Sequence, residues 1–427
     1  MSRLARLRPP RPTRETAPYL ACAVLAILLI AISAPRISRW FQGDSKANSA
    51  SVAAPAPGQS STVARGVKYN ISHPTQGKWE PDTTKLSDCG PNDLTCYEQA
   101  FANLGYTEGP HKALAEFAAV MKTNAFVNAN CHPIAHYIGF GSLTRYKGDV
   151  PRAFGEGAPT CWSGYYHGIL QRAFMNVQSP NGLVRVSRSL CSDPRIRKST
   201  WLLYQCVHGI GHGLMIFSGY SLPFALKICH KLQTSWDQQS CTGGVFMENI
   251  VSTFGTKSPW LRDNDPVFPC RQVKPFDKTY CYLMVTSRVL QLYPGNWRKM
   301  VAVCKTVEKN YVASCFSSMG RDASGNTTQN PRGVISICAF AGRWHWGDCV
   351  YGAARDFTAT FANGNRAATL CNMLPQSMRP LCFWHVGTIL GTMQRTQRER
   401  HAACAAITSA YLKDCFHGAS TAQTIKA

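Results

Sequence analysis

The chain has 427 residues, with 46 Lys plus Arg against 23 Asp plus Glu, a formal net charge of +23, 45% hydrophobic and 16% charged residues, and 19 Cys. That apolar content excludes a wholly disordered chain, and so many cysteines argue against an ordinary cytosolic enzyme and for an oxidising compartment or a multi-metal protein. The basic excess is not a tail effect, because residues 1–40 contribute +6 and the remainder keeps +17.

Residues 17–34 read APYLACAVLAILLIAISA, 18 residues without a charge. That is just long enough to span a bilayer. Arg3, Arg6, Arg8, Arg11 and Arg14 precede it, and only Arg36 and Arg39 follow nearby. The bias predicts a cytoplasmic tail at 1–16, an anchor at 17–34 and the bulk of the chain outside the cytoplasm. A cleaved secretory signal would export the same residues, but the stretch is long for a signal peptide's apolar region. Residues 35–88 are rich in Ser, Ala and Pro with no apolar period, and read as a flexible stalk.

Residues 89–427 hold eighteen cysteines, Cys22 lying in the apolar span. From position 191 they fall into pairs: Cys191/Cys206, Cys229/Cys241, Cys270/Cys281, Cys304/Cys315, Cys338/Cys349, Cys371/Cys382 and Cys404/Cys415. The last five pairs are all C-x10-C, and their second members recur every 33 or 34 residues. Such periods belong to two-helix units that bury their apolar faces only by stacking. The unit reads as helix A, Cys, about ten residues, Cys, helix B, with a disulfide joining the end of A to the start of B. Paired C-x2-C zinc knuckles are absent. Cys89 and Cys96 are close enough to pair locally, and Cys131 and Cys161 are placed to link neighbouring units; spacing alone does not fix their connectivity. The expected fold is an all-α, disulfide-stapled α-solenoid of two-helix repeats. In architecture alone it resembles secreted, stapled helical repeats such as Sel1-like proteins.

Aligning the B helices on their leading Cys brings histidines into register. His167 and His212 stand six residues after Cys161 and Cys206, and His136 five after Cys131. His132 and His208 lie one helical turn before His136 and His212. In a stack of nearly parallel B helices, His132, His136, His167, His208 and His212 form a row. Imidazoles are the commonest metal ligands, and i,i+4 pairs present two from one helix. The row is expected to bind a transition metal, and Zn, Fe and Cu are equally compatible. Glu248 and Glu156 are nearby carboxylates, and Tyr166 and Glu248 are the candidate catalytic groups beside such a metal. Packing histidines between close helices, with Tyr165 and Tyr166 as ordinary core aromatics, is the simpler alternative. There is no HExxH and no CxxCH, so neither a zincin peptidase nor c-type haem attachment is supported.

At the equivalent register further on stand Arg321-Asp322 and Arg355-Asp356, 34 residues apart. They read either as bridges between neighbouring units or as an anion-binding stripe. With +17 outside the cytoplasm, acidic partners such as lipid head groups, cell-wall polymers or glycans fit, and nucleic acid does not. Two functions follow. One is a membrane-anchored extracytoplasmic metalloprotein, extending to a metal-dependent enzyme that acts on an anionic substrate. The other is a non-catalytic scaffold binding a protein or acidic polymer on its concave face.

Overall fold

The computed structural model describes residues 79–421, apart from 159, 253–256 and 395. These residues are helices joined by turns, with no strand among them. The expected tail at 1–16, anchor at 17–34 and stalk as far as 78 lie outside the described residues. No helix among the described residues is long and apolar enough to cross a membrane.

The packed chain begins ahead of residue 89. Trp79 is buried against Ala102 and Phe140. The Asn103 side-chain amide donates to the Asp82 carboxylate at 2.7 Å and to the Thr84 carbonyl at 2.9 Å, holding the segment before Cys89 on the first helix. The Pro and Ser content that suggested a continuing stalk gives no hint of these contacts, which depend on one buried indole and one amide.

Among the described residues, ten B helices form the frame: α1 (Leu94–Thr107), α2 (Cys131–Arg145), α3 (Thr160–Phe174), α4 (Thr200–Phe217), α5 (Ser235–Val251), α6 (Val285–Leu292), α7 (Val312–Asn326), α8 (Gly342–Phe361), α9 (Arg379–Met393) and α10 (Leu412–Thr421). Most of the intervening A helices are short, such as Leu222–Cys229, Trp297–Cys304 and Pro331–Cys338. Pro331 opens its helix and Asn330 caps it, its side-chain oxygen accepting from the backbone of Arg332 and Gly333. An isolated helix of this length is unstable in water. Burial of Val334 and Cys338, with the disulfide at its last residue, keeps this one in place.

All seven spaced pairs are bridged as the spacing predicts: Cys191–Cys206, Cys229–Cys241, Cys270–Cys281, Cys304–Cys315, Cys338–Cys349, Cys371–Cys382 and Cys404–Cys415. The first cysteines mostly lie where the repeat puts them. Cys229, Cys304 and Cys338 end their A helices, and Cys371 and Cys404 are one residue short of the end of theirs. Cys270 departs from this, lying in a run of turns. The second cysteines require a correction, because they do not open their B helices. Cys315, Cys382 and Cys415 lie about one turn inside α7, α9 and α10, and Cys349 about two turns inside α8. Cys206 and Cys241 are likewise well inside α4 and α5. Cys281 misses its B helix altogether: it lies near the end of a separate short helix, Pro275–Tyr282, ahead of α6. The physical reason is that ten residues are more than the reversal needs. The surplus already winds into helix before the second cysteine, as in the 3₁₀ turns at Lys309–Tyr311 and Gln376–Met378 that lead into α7 and α9.

Of the remaining four, Cys89 joins Cys96 and Cys131 joins Cys161, the second bridge tying α2 directly to α3. Nine disulfides among the described residues suit an oxidising, extracytoplasmic environment.

Each B helix packs on the next, from α1 to α10. The row also turns back on itself: α3 touches α8, and α4 touches α9. B helices of the first half therefore face B helices of the second, and the surface that a solenoid would leave concave and open is enclosed.

Two glycine pairs set the spacing around the histidines. A Cβ on Gly168 of α3 would lie 2.0 Å from the His136 carbonyl oxygen, and one on Gly139 of α2 would lie 2.4 Å from that of Tyr165. Gly244 of α5 and Gly211 of α4 repeat this, 1.9 Å from the His208 oxygen and 2.1 Å from that of Cys241. No side chain fits at those separations, so α2 with α3, and α4 with α5, meet backbone to backbone. The seam between α3 and α4 differs. There Leu170 and Phe174 fill the space over Gly209 and Gly213.

Candidate metal centre

The five histidines expected to form a row do converge. His132 and His136 project from α2, His167 from α3, and His208 and His212 from α4. α4 starts cleanly, with the Ser199 hydroxyl accepting from the Leu202 N–H at 3.2 Å. Helical spacing sets each i,i+4 pair one turn apart, and the rings turn toward each other. The Nε2 atoms of His132 and His136 are 3.0 Å apart, and those of His208 and His212 are 3.3 Å apart. His167 stands between the pairs. Its ring centroid is 5.4 Å from His132, 5.7 Å from His136 and 4.6 Å from His212, on which it stacks.

Two trios can hold a metal ion: His132, His136 and His167, and His167, His208 and His212. In each, one nitrogen per ring lies within 4.8 Å of the others. His167 is common to both, and its Nδ1 is buried with no hydrogen-bond partner. Buried polar atoms are nearly always paired, and an orphan at such a place marks a site that something else completes.

The opposite edges of the rings are held by acceptors. His132 Nδ1 donates to the Cys161 carbonyl at 2.8 Å, His136 Nδ1 to Gln171 Oε1 at 3.0 Å, and His212 Nδ1 to Glu248 Oε2 at 2.8 Å. These oxygens only accept, so Nδ1 of His132 and of His136 carries the proton and, with the rings neutral, their Nε2 atoms present lone pairs. This is the outer arrangement that orients metal-binding histidines. Glu248 is itself fixed by the Tyr220 hydroxyl, which donates to Oε1 at 2.8 Å.

Burial pushes His132, His136, His167 and His208 below the ordinary imidazole range, His208 to about 3. Neighbouring imidazoles add to the effect on His136, His167 and His208. These rings are therefore neutral at pH 7, the state in which imidazole ligates a metal.

The other expected residues fall elsewhere. Glu248 supports His212 through Nδ1, on the side away from the converging Nε2 atoms. Glu156 accepts from the Tyr146 hydroxyl at 2.5 Å. Tyr166 is fully buried, its ring packed against Phe154 and Tyr165. Arg321 and Asp322 form an ion pair at 3.0 Å; Asp322 accepts from Thr286 and Ser287 on α6, while Arg321 reaches Ser287 and the Met284 sulfur. Asp356 accepts from Ser324 of α7 at 2.5 Å, and burial raises its carboxyl to about 6. Each Asp thus binds a hydroxyl of the preceding B helix. Arg355 has no such tie: its Nε is buried without a partner, and its electrostatic neighbours include Tyr204, Tyr280 and His385.

Three contributors escaped the repeat alignment. Gln171 sits one turn beyond His167, a position at which an outer acceptor for the neighbouring helix was there to be read. Tyr204, one turn before His208, stacks on that imidazole at 5.3 Å. Tyr280, like His208, lies over Gly243, a placement between helices that no local pattern encodes. No family model, no curated protein and no solved structure matches the chain.

Proposed function

We propose that this chain is a membrane-anchored, extracytoplasmic metalloprotein whose metal centre is formed by His132, His136, His167, His208 and His212. The observation that carries the reading is the meeting of His132 and His136. Both Nδ1 protons are already donated to oxygens, so two lone pairs face each other across 3.0 Å. Without an intervening cation that contact is repulsive. With one it is the expected spacing, since two nitrogens bound about 2.05 Å from a tetrahedral ion lie about 3.3 Å apart. The 3.3 Å between His208 and His212 fits equally well. An all-imidazole set suits Zn, Cu or Fe, and two trios sharing His167 have room for two ions.

Anchorage rests on residues 17–34 and the arginines before them, and the extracytoplasmic setting on the disulfides. A scaffold that binds a polymer on its helices gives no reason for five imidazoles to converge, and it predicts ligand binding that survives chelation. Elemental analysis of the full chain, purified without an affinity tag, tests the metal reading. One to two equivalents are expected, falling to a trace in His167→Ala/His212→Ala. Substoichiometric metal unchanged by that double substitution would refute it.

A further inference from the structure

We propose that Arg355, together with the hydroxyls of Tyr204 and Tyr280, forms an oxyanion site beside the imidazole cluster, receiving a carboxylate or phosphoryl group. The ligand class deepens the metal reading and rests on it for what lies at the ligand's other end; the anion site itself stands on Arg355. This guanidinium comes from α8, in the second half of the row, the helix that returns to touch α3, and it is partly buried. Among the described residues it forms no ion pair, and its Nε is buried without a hydrogen-bond partner. Arg321, at the same register one repeat earlier, has a carboxylate, a hydroxyl and a sulfur around it. A partly buried charge with an unpaired buried N–H is costly, and a planar fork of N–H donors matches a carboxylate or phosphate.

Its surroundings lead to the histidines. Tyr204 stacks on His208. Tyr280 shares with His208 the space in front of Gly243, where a Cβ would lie 3.8 Å from Tyr280 Cδ1 and 3.5 Å from His208 Nδ1. Tyr204, Tyr280 and Arg355 all keep some accessible surface, so an incoming group can reach them. The charge balance points the same way. A divalent ion on these imidazoles, with the Arg355 cation nearby, has close to it the Glu248 carboxylate, which His212 and Tyr220 already hold. An incoming oxyanion neutralises both the ion and the guanidinium.

Titration of the metal-loaded full chain with inorganic phosphate, and separately with acetate, followed by calorimetry at fixed ionic strength, tests this; the stronger of the two names the group. Arg355→Gln is expected to weaken the preferred anion at least about ten-fold with metal content unchanged, and Arg321→Gln to change it less than about two-fold. Should Arg355→Gln fail to fold, Arg355→Lys keeps the charge but loses the fork, and a loss of about three-fold or more is expected. The proposal is overturned if neither anion binds, if both Arg355 variants bind as the native chain does, or if Arg321→Gln weakens binding as much as Arg355→Gln. A native chain without metal would sink the metal reading alone, because the same comparison on the metal-free protein still reads Arg355.

Discussion

Gly168 rests on the carbonyl oxygen of His136, so closely that a Cβ there would stand 2.0 Å away. One backbone contact therefore sets the distance between two candidate ligands, His136 and the His167 that precedes the glycine. Gly168→Ala must push α2 from α3. Overpacking of this kind costs about 1–3 kcal/mol or more, and metal content should fall with it. Gly155→Ala is the matched control, since nothing lies within 4 Å of its added Cβ; it should be neutral or stabilising by up to about 1 kcal/mol. Thermal unfolding and elemental analysis of both variants check the pair.

Glu248 meets His212 at Nδ1. Glu248→Gln should leave the fold intact and lower metal affinity about 10–100-fold, the usual effect of removing an outer partner. The loss should be confined to the trio containing His212. Competition with a chromophoric chelator would resolve one weakened site from one unchanged site, and a uniform loss, or none, would contradict the assignment.

Two disulfides separate a stabilising role from a positioning one. Cys304–Cys315 spans 11 residues and Cys131–Cys161 spans 30. Chain-entropy estimates put their removal at about 3 and about 4 kcal/mol respectively. Replacing both cysteines of the first pair by Ser should lower the denaturation midpoint and leave metal binding alone. The same change at Cys131 and Cys161 should also weaken metal binding, because His132 adjoins one cysteine and donates to the carbonyl of the other.

Asp356 supplies a pH test away from the imidazoles. Burial raises its folded pKa to about 6, against the hydroxyls of Ser324 and Thr360 and the charge of Arg321, and with the help of Asp322. A carboxyl whose folded pKa exceeds its unfolded value near 4 favours the folded state once protonated. Its contribution is therefore unfavourable above pH 6 and is relieved as pH falls from about 6 to about 4. Relative to Asp356→Asn, the native chain should gain about 3 kcal/mol across that window. His385, pushed down to about 4 by burial and by Arg355, acts in the opposite sense in both proteins and cancels in the comparison. Parallel denaturation curves at pH 4.5 and 7 would show it, and an unchanged difference would count against the shift.

The repeat frame was legible because cysteine spacing is a one-dimensional signal: aligning on it placed all seven late bridges and brought His132, His136, His167, His208 and His212 into one row. Where each helix begins was less legible. Cys281, Cys349, Cys382 and Cys415 share one spacing, yet the helix boundaries around them differ, since those depend on how the intervening ten residues wind. What followed from curvature was not legible at all. Arg321 and Arg355 occupy one register in the sequence, yet α6 and the residue before it offer Ser287 and Met284 to the first, while the second faces Tyr204 from four B helices earlier. Period and spacing fix neighbours along the row, whereas the return of α8 to α3 depends on small angles accumulated over every unit. Gln171 was missed for a different reason: an amide one turn from a histidine is unremarkable until the adjacent helix brings His136 to it.

The seam between α3 and α4 is spaced by side chains, while the joints on either side of it are spaced by backbone. His167 stands in that seam. An ion shared between His167 and the α4 histidines would act there as a rivet, fixing the angle between two otherwise rigid pairs of helices. Loading the centre would then set the curvature of the row, and through it how far α8 carries Arg355 toward the imidazoles.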